Sequence, residues 1–330
     1  MTLQRSAETN DLPTVTVVIP SYGEVENVER AVCSLVRQTM PASTFEVIVV
    51  DSFPGERVKT LVDALRGRMP FALHCYRKEP EGPGPSRNLG ARRGRAALLA
   101  FLDSDCEASP GWLAAGVARF DERTVGLVQG RVLPDPKAQH RVFARSLKIP
   151  EESFVFESAN VFYRRAAFEE AGGFPRDMMP RAQHSMGGED VILGWAVKRL
   201  GWRSCFEHEA IVYHALIPAT AWEWIVIKQL FIWPRLVGVV PELRGFLPLR
   251  YFYDRHQAFF ALGLVGGLLS FAAPAAWILW LPYWVSRSFE ESATLRGPLK
   301  LVRAFFYLPR DAASFLLLSA GSLWFRALLL

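Results

Sequence analysis

The clearest signal along the chain is a run of short apolar segments, each followed by an amphipathic one. Val15-Thr16-Val17-Val18-Ile19 is β-branched throughout and stops at Pro20, so it predicts a strand buried on both faces. Glu26–Gln38 then carries Val28, Val32, Leu35 and Val36 at helical spacing. The alternation repeats with a strand over Phe45–Val50, a helix over Glu56–Arg66, a strand over Phe71–Tyr76, a helix over Ser86–Arg95 and a strand over Ala97–Leu102. A helix opening at Pro110-Gly111-Trp112 and a fifth strand over Val125–Gln129 follow. Such alternation predicts an α/β domain built on a mostly parallel, doubly wound sheet with helices on both faces.

Beyond residue 131 the pattern weakens. Ser158–Tyr163 reads as a strand, Arg165 starts a helix, and Gly172-Gly173-Phe174 is a turn. Pro175–Gly188 predicts a mobile loop, Glu189–Leu200 a helix, and Arg203–Phe206 and Ala210–Tyr213 two short closing strands. The expected organisation is a polar N-terminus at 1–12 and a catalytic domain at 13–218, split into halves at 13–130 and 131–218. An interfacial segment at 219–256 and membrane-associated hydrophobic helices at 257–330 complete it.

That last region differs in character. Trp222, Trp224, Phe231 and Trp233 lie among Lys228 and Arg235, a mixture suited to a membrane interface. Gln257–Ser286 contains no charged residue. As one helix it would be roughly 45 Å long at 1.5 Å per residue, long enough to cross a hydrocarbon core of about 30 Å. Pro274 and Gly263, Gly266 and Gly267 interrupt it. The following Arg287, Arg296, Lys300, Arg303 and Arg310 favour the cytoplasmic side. A re-entrant helical hairpin reconciles this with a cytoplasmic catalytic domain. A true span returning through Ala312–Leu330 does so only against the charge rule.

Composition narrows the picture. The net charge of +5 is modest, and no Lys/Arg block interleaved with aromatics marks a nucleic-acid groove, so nucleic acid is not an expected partner. Cys33, Cys75, Cys106 and Cys205 are scattered, which fits reduced thiols better than a zinc site or a disulfide framework. Met1–Asp11 has no apolar core and does not read as a secretory signal.

The chemistry gathers where strands end. In a doubly wound sheet ligands bind beyond the carboxyl ends of the strands. Those ends carry Pro20-Ser21-Tyr22, Asp51 and Asp103-Ser104-Asp105. Two carboxylates one residue apart repel unless a cation neutralises them, and an oxygen-preferring Mg²⁺ or Mn²⁺ suits them. The competing reading makes Asp105 the N-cap of a following helix.

Pro20-Ser21-Tyr22-Gly23-Glu24, Asp51, Ser86-Arg87-Asn88-Leu89-Gly90, Asp103-Ser104-Asp105 and Gly188-Glu189-Asp190 stand in an order and spacing that resemble the family 2 glycosyltransferases over residues 13–215. The resemblance implies a GT-A fold, with a Rossmann-like nucleotide half joined to an acceptor half. It implies that Pro20, Tyr22 and Glu24 line the nucleotide end and that Asp51 accepts from base or ribose. Arg87 would reach the nucleotide or diphosphate, and Asn88 is structural. Asp103 and Asp105 would hold the metal and diphosphate, with His214 a further candidate ligand and His208 a weaker one. Asp190 resembles the base that deprotonates the acceptor, and Glu189 is the alternative. Processive relatives carry Gln-x-x-Arg-Trp; here Gln229-Leu230-Phe231-Ile232-Trp233 has Ile232 at the arginine position, which implies transfer of a single sugar.

The expectation is an inverting, metal-dependent transferase using a UDP-, GDP- or dTDP-sugar and a lipid or lipid-linked glycan acceptor. Nucleotidyl transfer and a non-catalytic nucleotide-sugar sensor are the alternatives.

Overall fold

The computed structural model describes residues 12–138, 143–176, 187–289 and 299–330. The expected polar start (1–11), most of the Pro175–Gly188 loop and Arg296 lie outside them. The described residues divide into two compact units. The first comprises those within Met1–His140, Ser146–Ser185 and Glu189–Leu216, and the second those within Arg141–Arg145, Met186–Gly188 and Ile217–Leu330.

The first unit begins with the alternation read from the sequence: β1 (Val15–Ser21), α1 (Val25–Ser34), β2 (Phe45–Asp51), α2 (Arg57–Arg66), β3 (Ala72–Arg77), α3 (Pro83–Arg93) and β4 (Leu98–Leu102). It continues through β5 (Cys106–Ala108), α4 (Trp112–Ala118), β6 (Val125–Pro134), β7 (Asn160–Arg164), α5 (Arg165–Glu170), α6 (Glu189–Arg199) and β8 (Arg203–His214). All eight strands form one sheet in the order β3-β2-β1-β4-β7-β6-β8-β5. Alternate residues of β1 explain its two buried faces. Val15, Val17 and Ile19 join a core with Val28 and Val32 of α1, Val58 and Val62 of α2 and Trp112 of α4. Val18 points the other way, against α3, where a Cβ on Gly90 would lie 2.3 Å from the valine Cγ1. Only glycine lets that helix, which carries Arg87, settle so close to the strand.

The sheet departs from the expected topology. The pairs β1–β2, β1–β4, β2–β3 and β6–β8 are parallel, but β7 runs antiparallel to both β4 and β6, and β5 antiparallel to β8. It is a mixed sheet. The strand β7 is an unbroken buried run, and such a run carries no direction in its side-chain pattern. The two short strands expected near the end of the domain are one 12-residue strand, β8, with a register shift in its pairing to β6.

Register also sets the level of the strand ends. Val15 pairs with both Phe45 and Leu98, so the carboxyl ends of β1, β2 and β4 lie side by side. Ser21 is opposite Asp51, and Asp103 follows directly on Leu102.

The second unit contains α7 (Ala221–Ile225), α8 (Trp233–Val239), α9 (Arg255–Leu269), α10 (Leu281–Phe289) and α11 (Leu299–Phe325). The charge-free stretch is not one helix. It breaks after α9, turns at Ser270–Ala273 and returns through a 3-10 segment at Pro274–Trp280 into α10. Gly263 and Gly266 admit this return, because Cβ atoms there would lie 2.5 Å from Trp280 and 2.7 Å from Leu279. Among the described residues no helix is long and apolar enough to cross a membrane, so the expected span through 257–286 or 312–330 has no counterpart here. Buried Arg287 holds Asp311 two-pronged, Nε to Oδ2 at 2.8 Å and Nη2 to Oδ1 at 2.5 Å, and the Tyr283 hydroxyl donates to Oδ2 at 2.9 Å. Fully partnered in this way, the pair joins α10 to α11. The turn and return leave Phe271 (92% exposed), Leu268, Trp277 and Ile278 facing outward.

Candidate active site

The aligned strand ends open onto a cleft of about 640 Å³. Its walls include Pro20, Tyr22, Glu24, Arg87, Asp103 and Asp105, six of the residues singled out in the sequence. Ser52, Pro80, Gly82 and Pro83 add a wall that the motifs did not reveal. Glu24 folds back to accept from the Tyr22 N–H at 2.7 Å, which holds the loop after β1 open at its tip. The exposed Tyr22 ring meets Phe53 edge to face, with centroids 5.4 Å apart.

Asp51 is not brought into the cleft. It is 1% exposed, and its Oδ1 accepts from the N–H groups of Gly23 (3.0 Å) and Phe53 (3.3 Å). Burial raises its carboxyl above the usual range, and those two donors oppose the shift. It supports the loop that carries Tyr22.

The reading of Asp105 as a helix cap also fails. The residues after it form the strand β5, and α4 starts only at Trp112. Pairing of β5 with β8 sets Cys106 opposite His214, and this register brings the imidazole to Asp105, Nε2 to Oδ2 at 3.4 Å. On the other side of the ring, Nδ1 lies 2.7 Å from the Ala215 carbonyl. A proton on Nδ1 satisfies that carbonyl and turns the Nε2 lone pair toward Asp105, the tautomer a metal-binding imidazole needs. Burial and the neighbouring Asp103 raise the Asp105 carboxyl, and His214 partly offsets them.

Asp105, Cys106 and His214 bring ligand atoms within 4.8 Å of one another. Cys106 is a weak member, since burial pushes its thiol well up and keeps it protonated. Asp105 and the His214 imidazole remain of that group, with Asp103 on the same cleft wall, and these oxygen and nitrogen donors fit Mg²⁺ or Mn²⁺. His208 lies elsewhere, on the Arg131 guanidinium at 2.7 Å.

Arg87 joins the two acidic motifs. Its guanidinium reaches Asp103 Oδ1 at 2.5 Å and Glu189 Oε1 at 3.4 Å. Burial opposes its charge, but the two facing carboxylates outweigh that and raise its pKa further. Its Nε has no hydrogen-bond partner among the described residues. The next residue, Asn88, pins the Gly172-Gly173-Phe174 turn, with Nδ2 donating to the Phe174 carbonyl and Oδ1 accepting from its N–H. Gly173 has φ of +71° and would drive a Cβ to 2.7 Å from that Oδ1, so the turn requires glycine.

Glu189 and Asp190 open α6, after Gly187 and Gly188, both with positive φ. Asp190 Oδ2 accepts from the Ser158 N–H at 3.3 Å. Burial first, then the carboxylates of Glu189 and Glu157, pushes the Asp190 carboxyl up to about 7. Glu157 belongs to a stretch with no periodic pattern, and nothing in the sequence marked it.

Residues 16–174 match the family described as "Glycosyl transferase family 2". The chain is 30% identical over 218 residues to the glycosyltransferase AglE of Haloferax volcanii, covering 64% of this chain and 69% of that protein. A glucosyl-dolichyl phosphate glucuronosyltransferase from the same organism is 24% identical over 238 residues, 65% of this chain and 74% of its own. Several further curated relatives are matched over about half their length or less. Among solved structures, a mannosyltransferase from Pyrobaculum calidifontis, in complex with GDP-Man and Mn²⁺, superposes with a TM-score of 0.58 at 18% identity, covering 96% of this chain and 87% of that one.

Proposed function

The chain belongs to family 2 of the glycosyltransferases, and from that premise we propose that it moves one sugar from a nucleoside-diphosphate sugar to a hydroxyl of a lipid or lipid-linked glycan, in a metal-dependent, inverting reaction. One observation carries the proposal: Arg87 ties Asp103 at the cleft to Glu189, the neighbour of Asp190, so the two acidic motifs serve one site.

Within that site each residue has a distinct task. Tyr22 offers a ring to the base at the rim of the cleft. Asp103, Asp105 and His214 would hold Mg²⁺ or Mn²⁺, which when bound neutralises charge on the departing diphosphate. Arg87 contributes fixed positive charge to the same wall. Asp190 takes the proton from the acceptor hydroxyl as that oxygen attacks the sugar carbon, and a carboxyl held near 7 suits a base working at neutral pH. Attack from the face opposite the diphosphate inverts the anomeric centre. The Mn²⁺ and GDP-Man of the Pyrobaculum structure support the metal and the donor class. The choice among UDP, GDP and dTDP can be read by thermal shift. Each nucleotide sugar is added with Mn²⁺, and only the true donor is expected to raise the melting point, because a ligand of the native state stabilises it. No shift with any of the three, in the presence of Mn²⁺, counts against the proposal.

The lipid acceptor rests on the second unit and on the dolichyl-phosphate relative. The outward-facing Leu268, Phe271, Trp277 and Ile278 occupy a stretch without charge, a surface suited to the acyl boundary of a bilayer. A Phe271→Asp, Ile278→Asp double variant should lose about tenfold or more in co-sedimentation with anionic vesicles, since each buried side chain contributes about 1.5–3 kcal/mol. Unchanged binding would remove this surface from the proposal.

A further inference from the structure

The turn before β7 grips α6 along one face. Trp195 donates its indole N–H to the Phe154 carbonyl at 3.0 Å, and the Ser158 N–H donates to Asp190. Phe156 lies against Gly194, where a Cβ would come within 2.3 Å of its ring, and Lys198 sits 5.6 Å over the same ring. Asp190, Gly194 and Lys198 recur at four-residue spacing on one side of the helix, and Trp195 flanks them. Phe156 holds φ at +56°, left-handed backbone that a bulky residue adopts only when its surroundings force it. That strained corner aims the next residue, Glu157, whose carboxylate is fixed at both oxygens. Gln129 donates to Oε2 at 2.8 Å and Ser153 to Oε1 at 3.1 Å.

We propose that Glu157 is a positioning residue for the transfer reaction: carried by a turn clasped onto α6 and locked by Gln129 and Ser153, it sets a second carboxyl beside the one that Asp190 presents and holds that residue ready to accept the acceptor's proton. The proposal rests on the reading of Asp190 as the base. The groups facing Asp190 are few. Glu189 comes from its own helix and Glu157 from the turn. Arg87 comes from α3 and is paired to Asp103 and Glu189. Tyr163 comes from β7, with a buried hydroxyl that has no hydrogen-bond partner among the described residues. Glu157 is held entirely by uncharged partners, so when ionised it adds negative charge without a compensating cation; burial raises its own carboxyl, and the bonds from Ser153 and Gln129 oppose that shift.

The test is a thermal-unfolding cycle over wild type, Glu157→Gln, Asp190→Asn and the double variant, at pH 9 and pH 5. At pH 9 both carboxyls are ionised, and the melting-point change caused by Glu157→Gln should be several degrees more favourable with Asp190 present than in the Asp190→Asn background. At pH 5 Asp190 is protonated, and the two backgrounds should agree. In turnover, nucleoside diphosphate is followed from whichever of UDP-glucose, GDP-mannose and dTDP-glucose reacts with a polyprenyl-phosphate-linked hexose, whose sugar hydroxyls are the acceptors. There Glu157→Gln should move the acid limb of the kcat profile down by about one pH unit, and Glu157→Asp should restore it. Additive melting points at pH 9, or a limb that stays in place, overturn the role of Glu157 alone. Full turnover by Asp190→Asn overturns the base assignment and this role with it.

Discussion

Replacing Asp190 by Asn is expected to lower turnover by about 10²- to 10⁴-fold, the contribution typical of a positioned general base, while donor binding stays near the wild-type level. Asparagine keeps the shape and the bond from the Ser158 N–H but cannot take a proton. The same substitution should act in the opposite sense on stability. Burial and the carboxylates of Glu189 and Glu157 raise the Asp190 pKa from 3.8 to about 7 on folding. A raised carboxyl pKa means that the folded protein favours the protonated form. It imposes no penalty below pH 3.8, and the penalty grows until pH passes about 7. The interval is about three units at about 1.4 kcal/mol each, so up to about 4 kcal/mol is held against the fold at pH 8. Asp190→Asn should therefore melt several degrees higher than wild type at pH 8 and at the same temperature near pH 4. The wild-type rate should fall as pH drops below about 7, where the base becomes protonated. A variant that is inactive and also less stable at pH 8 would point to a structural role instead.

The second large effect belongs to Arg87→Met. This side chain is 4% exposed and faces both Asp103 and Glu189. Methionine fills much of its volume but leaves two carboxylates without their cation. Removing one partner of a buried ion pair costs about 3–5 kcal/mol. Asp103 is partly open to solvent, so the lower end applies. About 3 kcal/mol corresponds to a melting point roughly 6–12 °C lower for a unit of this size. Arg87→Lys should recover only part of it, since an ammonium cannot span both acids. A melting point within 2 °C of wild type for Arg87→Met would show that the two acids do not depend on Arg87.

Most strands and helices of the first unit were legible because apolar periodicity there is strong, as in β1, β2 and β4 with α1 and α2. What stayed hidden was set by pairing rather than by local pattern. The direction of β7 and the existence of β5 depend on their partners, and β5 is only three residues long. The cleft itself was foreseeable, since Pro20, Tyr22, Glu24, Asp103 and Asp105 lie at or just beyond strand ends and Arg87 lies on the helix that leads into β4. A strand-end carboxylate such as Asp51 has the same signature whether it faces the cleft or accepts from two backbone N–H groups, and only the structure shows those two bonds. The approach of His214 to Asp105 needed the β5–β8 register. Glu157 depends on a left-handed Phe156, a backbone state that no residue pattern announces. In the second unit, Pro274 with Gly263, Gly266 and Gly267 marked where the charge-free stretch would break and fold back, but the close approach of Trp280 and Leu279 to Gly263 and Gly266 needed the structure.

Glycosyl transfer at the cleft of Asp103, Asp105 and Arg87 is the central proposal. Its most direct test is the identity of what leaves when a nucleotide sugar is turned over by the full chain with a polyprenyl-phosphate-linked hexose, with Mn²⁺ and with EDTA. Nucleoside diphosphate, released only with the metal and accompanied by a product of inverted anomeric configuration, is the expected result. Pyrophosphate, a retained configuration or an undiminished rate in EDTA would contradict it.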